Sequence, residues 1–98
     1  MTAAEDLAER YHGIHPAAPQ AGYERIDWQK WDARVARVRV RDHTCECQVI
    51  VYELCQAGGL LVVRRLYRSE GVAVHRSEWL RAAEAERLWM RILLGQAR

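Results

Sequence analysis

Phenylalanine is absent, serine occurs only at Ser69 and Ser77, proline only at Pro16 and Pro19, and lysine only at Lys30. Each shortage excludes something. Neither serine lies in a G-x-S-x-G nucleophile turn, and H-E-x-x-H and the glycine-rich phosphate loops are also missing. Two prolines in a chain that is 50% apolar argue against disorder throughout. Apolar runs reach only a few residues, as near 58–63, too short to span a membrane. Three cysteines, an odd number, suit reduced thiols better than a disulfide framework. Residues 1–9 are acidic and lack the basic and apolar regions of a signal peptide, so the expected compartment is the cytoplasm.

What is abundant is arginine, with 14 copies, matched by 14 alanines. That pairing suggests high-GC coding and a small bacterial protein, and it weakens arginine as a functional signal. Four Trp and four Tyr supply the aromatic bulk. Ninety-eight residues make one domain with a modest core. The net charge of +2 is unevenly spread. Residues 1–33 carry three basic and six acidic groups (−3), residues 34–76 eight and four (+4), and residues 77–98 four and three (+1). A mildly basic centre can meet an anionic partner or its own acidic leader.

Periodicity places an antiparallel sheet over about 33–76. Residues 1–22 read as an acidic leader with a short helix near 2–11 and a proline-containing loop over 15–22; residues 23–98 form the domain. Residues 23–31 fit either a strand or a turn burying Ile26, Trp28 and Trp31. From residue 36, Ala36, Val38 and Val40 alternate with Arg37, Arg39 and Arg41. A turn at Asp42-His43 would set Val40 opposite Cys45, Val38 opposite Cys47 and Arg39 opposite Glu46, sorting a dry face from a wet one. Glycines 58 and 59 close a second hairpin, and 69–71 a third turn, into 72–76. Ser77 reads as the N-cap of a helix over about 77–94 that stops at Gly95. Its stripe is Ala82, Ala85, Leu88, Trp89 and Ile92, widened by Trp79, Ala83, Met90 and Leu93. The fold class is therefore α+β: an antiparallel meander of three to five strands packed by one C-terminal helix.

Three signals compete for function. His43, Cys45 and Cys47 form H-x-C-x-C, with Cys55 and His75 as further donors, but the usual C-x2-C knuckle is missing and the register makes the cysteines core. His12-x-x-His15 lacks a third partner. Neither metal nor cofactor is expected, and no catalytic group is assigned. Arg37, Arg39 and Arg41 would lie about 6.5 to 7 Å apart on one face, joined by Arg65, with Tyr52 and Tyr67 nearby to stack on bases. Finally, Ile50, Tyr52, Leu54, Leu61, Val63 and Tyr67 crowd the face opposite the cysteines, and with Trp89 they are the candidate interface. The expectation is a non-enzymatic interaction or regulatory module, acting as a homodimer or as an accessory subunit. The alternative is a nucleic-acid-binding regulator using the arginines.

Overall fold

A computed structural model describes residues 13–32, 34 and 37–98 of the chain. In chain order its elements are β1 (Gln29–Lys30), β2 (Arg39–His43), β3 (Ile50–Ala57), β4 (Leu60–Arg68), β5 (Val72–Arg76) and α1 (Ala82–Leu93). All strands pair antiparallel in the order β1-β5-β4-β3-β2. β2 to β5 thus make a meander, with β1 added beside β5. The fold is α+β, one sheet and one C-terminal helix, in line with the sequence pattern. The helix expected near 2–11 lies outside the described residues, as does Ala36.

The β3–β4 hairpin follows from its glycines. Ala57 pairs with Leu60, and Gly58 has φ 59°. A positive φ at the first central residue alone is the II′ pattern, whose twist suits adjoining strands. The first hairpin differs from expectation. Val40 pairs with Cys55, ten residues beyond the expected Cys45, and the reversal runs through residues 44–49. A slip by an even number leaves every side chain on its own face, so alternation alone could not choose between the two registers. Tertiary bonds choose: the Tyr52 N–H donates to Thr44 Oγ1 at 2.9 Å, and the Thr44 N–H to the Tyr52 carbonyl at 2.9 Å. A bulge between Val40 and Asp42 then breaks the row of alternating arginines and valines.

The helix also begins later than 77. Ser77 is buried, and its Oγ accepts the Val63 N–H at 3.0 Å. Leu80 and Leu61 exchange backbone bonds at 2.8 Å each. These ties to β4 hold residues 77–80 extended, and Arg81 takes the N-cap without a side-chain bond. The helix ends on Gly95, φ 75°, as expected. A Cβ there would stand 2.2 Å from the Ala18 carbonyl oxygen, so glycine is required twice over.

Both sheet faces are used. Tyr52, Leu54, Leu61 and Val63 pack under Ala85, Leu88, Trp89 and Ile92 of α1, with Ile26 and Trp28 at the margin. The helix therefore covers the face whose apolar residues made up the candidate interface. On the opposite face Val51, Cys55 and Val62 are buried, and Glu53 pairs with Arg64 at 2.9 Å. The Arg64 guanidinium sits 4.9 Å over the Trp31 ring, which in turn meets Trp79 at 6.4 Å. Ala82, Ala83 and Met90, counted in the helix stripe, are exposed.

Candidate functional site

One end of the sheet gathers reactive side chains. The stretch after β2 is held from three sides. Thr44 is pinned to Tyr52. Ile14 bridges Thr44 in parallel, and the Cys45 N–H donates to the Ile14 carbonyl at 2.9 Å. This approach is close enough that a Cβ on Gly13 would lie 3.1 Å from Cys45 Cα. From β4, the Arg68 N–H donates to the Val49 carbonyl at 2.9 Å, and its guanidinium donates to the Gln48 carbonyl at 3.0 Å and to that of Glu46. Arg68 thus clasps the turn on both sides of Cys47.

The result is a cluster of His15, Cys45 and Cys47. The two sulfurs lie 3.2 Å apart, and Cys47 Sγ is 3.3 Å from His15 Nε2. One ligating atom from each residue falls within 4.8 Å of the others. Cys45 is buried, whereas His15 and Cys47 are exposed. The expectation that both cysteines join the core thus holds for Cys45 and fails for Cys47, because the expected register is not the one formed. His43, the histidine of H-x-C-x-C, is not in the cluster; its Nδ1 lies 2.8 Å from the Thr44 carbonyl oxygen. Cys55 is also elsewhere, wholly buried on the sheet. Burial pushes its thiol up to about 11, Arg64 opposing and Glu53 adding to the rise. His75 is half-buried beside Arg65 on the neighbouring strand.

The arginine row is only partly assembled. Arg37, Arg39 and Arg41 are exposed, the last two on edge strand β2, but the bulge interrupts their common face. Arg65 is not with them in the open. It is half-buried, its guanidinium 4.9 Å over the Trp28 ring. The apolar interface set is closed off within the chain. Tyr52, Leu54, Leu61, Val63 and Trp89 belong to the core under α1, Ile50 is half-buried against it, and Tyr67 alone is exposed, at 46%. The four sheet residues offer no surface to a second copy, because the helix's stripe, Trp89 included, already covers them.

The sequence contained both halves of the Cys/His cluster without joining them. In the sequence His15 has no third partner, and the cysteines lack the C-x2-C knuckle and fall on the core face of the expected register. The 30-residue separation between Ile14 and Thr44 is bridged only by tertiary pairing. Gly13 was the one local hint, and it acquires meaning only once Cys45 is beside it. No family model, curated protein or solved structure matches this chain.

Proposed function

We propose that this chain is a small non-enzymatic interaction module whose partner meets the β2 edge. The observation behind this reading is that β2 bonds to a neighbour on one side only and all five of its residues are exposed, while the apolar residues beside it are committed to the core. Charge selects the partner class. Arg39 and Arg41 stand on this edge strand with exposed Arg37 just before it, and Asp42 turns its carboxylate onto the His43 N–H at 2.9 Å. Antiparallel pairing of β2 with β2 of a second copy would bring arginines against one another in the registers centred on Val40 or Arg41, which is unfavourable, and the bulge further spoils the edge for strand addition. A polyanion, with nucleic acid as the concrete case, fits better than self-association. The odd number of cysteines, three, favours a reducing compartment such as the cytoplasm.

Binding of short single- and double-stranded oligonucleotides, followed by fluorescence anisotropy across a salt series, tests the reading. Affinity should fall steeply with salt. The combined Arg37→Ala, Arg39→Ala and Arg41→Ala variant should flatten the log–log slope by about 2 to 3, at roughly 0.7 to 0.9 per lost phosphate contact. Its melting temperature should be nearly unchanged, since all three side chains are exposed. Absence of salt-sensitive binding, or an unaltered slope in the triple variant, overturns the reading. A stable dimer by light scattering, at concentrations where no oligonucleotide binds, would return the preference to self-association.

A further inference from the structure

We propose that His15, Cys45 and Cys47 form a zinc site, supplying three of its ligands from the described residues. The donor set is chemically apt. Two thiolates and one imidazole favour a thiophilic ion such as zinc over magnesium or calcium, which prefer oxygen. The geometry is near what the ion needs. Zinc–sulfur bonds of about 2.3 Å and zinc–nitrogen bonds of about 2.0 Å at tetrahedral angles separate sulfurs by roughly 3.8 Å and sulfur from nitrogen by roughly 3.5 Å. The corresponding separations here are 3.2 Å and 3.3 Å. The third pair, Cys45 and His15, lies within 4.8 Å. Binding converts two thiols to thiolates, releases two protons to solvent and takes the neutral imidazole through Nε2. Two thiolates and one divalent ion then leave no net charge at the site.

Two features outside the donors support a built site rather than a chance encounter. The 13–15 segment reaches Cys45 through a backbone hydrogen bond and a contact that only a glycine at position 13 comfortably allows. The turn carrying Cys47 is clasped independently by Arg68 from β4. All three donor positions are therefore set by the backbone, and the exposure of His15 and Cys47 gives an ion a way in. Among the described residues, His43 is turned to a backbone carbonyl and Cys55 is buried in the sheet.

Cobalt(II) and zinc titration of the reduced, metal-free protein tests this. One equivalent of cobalt should raise a thiolate-to-cobalt charge-transfer band with the visible absorption of a four-coordinate ion, and one equivalent of zinc should abolish both. Cys47→Ser and His15→Ala should each weaken zinc by more than about 100-fold, beyond the 10- to 100-fold typical of residues that only support a ligand. His43→Ala should leave affinity unchanged. Because His15 and Cys47 are exposed, both variants should keep the metal-free melting temperature, so loss of binding cannot be mistaken for unfolding. No charge-transfer band at stoichiometric cobalt, or equal zinc affinity in His15→Ala, overturns the site. Neither result bears on the arginine edge, whose test uses oligonucleotides.

Discussion

Replacing Ser77 with aspartate separates two roles that predict opposite outcomes. At a helix N-cap, aspartate serves as well as serine, and the helix dipole adds about 0.3 to 1 kcal/mol in its favour. In the fold described above, Ser77 is 1% exposed and ties β4 to the 77–80 segment: its Oγ accepts from Val63 N–H at 3.0 Å and donates to the Glu78 carbonyl at 2.9 Å. A carboxylate there can still accept from Val63. It cannot donate to Glu78, whose carbonyl oxygen it would face, and it loses its water. The effective penalty for stripping water from such an ion is several kcal/mol, so we expect a loss of at least about 3 kcal/mol at pH 7. For a domain of this size 1 kcal/mol is worth about 4 to 8 °C, so the melting temperature should fall by about 12 °C or more. Ser77→Ala, which strands the Val63 N–H without adding charge, should lose about 1 to 3 kcal/mol. The aspartate variant has a further signature. Burial holds its carboxyl above the unfolded value of about 3.9, so the native state keeps the proton longer; the penalty grows as pH rises and eases towards pH 4. Thermal and urea unfolding by circular dichroism at pH 7 and pH 4 gives all of these quantities. A Ser77→Asp variant within about 0.5 kcal/mol of the parent at pH 7 would refute the β4 tie and restore the helix cap.

Two other perturbations probe the sheet and the turn. Cys55 ionises in the unfolded chain near its ordinary value of 9.0 but in the fold only at about 11, so its contribution is intact below pH 9 and is lost as pH rises from 9 to 11. Urea unfolding across that range should show a decline larger by up to about 3 kcal/mol than that of Cys55→Ala, and parallel pH profiles for the two proteins would contradict it. Arg68→Ala removes the guanidinium bonds to the Glu46 and Gln48 carbonyls, loosening the turn around Cys47. We expect zinc affinity to fall about tenfold with the three donors intact, as for other supporting residues, and an unchanged affinity would mean that the turn holds itself.

Local pattern was sufficient for several elements. Strands β3 to β5, the Gly58-Gly59 hairpin and the Gly95 stop are visible because each depends on neighbours a few residues away: alternation for a strand, a glycine where φ must be positive. The inner helix stripe of Ala85, Leu88, Trp89 and Ile92 was legible for the same reason. Alternation also sorted Val40 and Cys55 onto one face correctly, but it cannot distinguish Cys45 from Cys55 as the partner of Val40, since both registers have the same parity. That choice rests on Thr44 meeting Tyr52. The start of α1 likewise depends on whether Ser77 bonds its own helix or β4, a competition no local window contains. Which sheet face the helix covers decided whether Tyr52 and Leu54 would be surface or core. The Cys/His cluster is the extreme case. Its residues were visible in the chain, yet their meeting depends on a segment near residue 14 lying against residue 44, with Arg68 drawing the next turn into place. Composition and period describe what each stretch prefers; only the packed chain decides which distant stretch satisfies it.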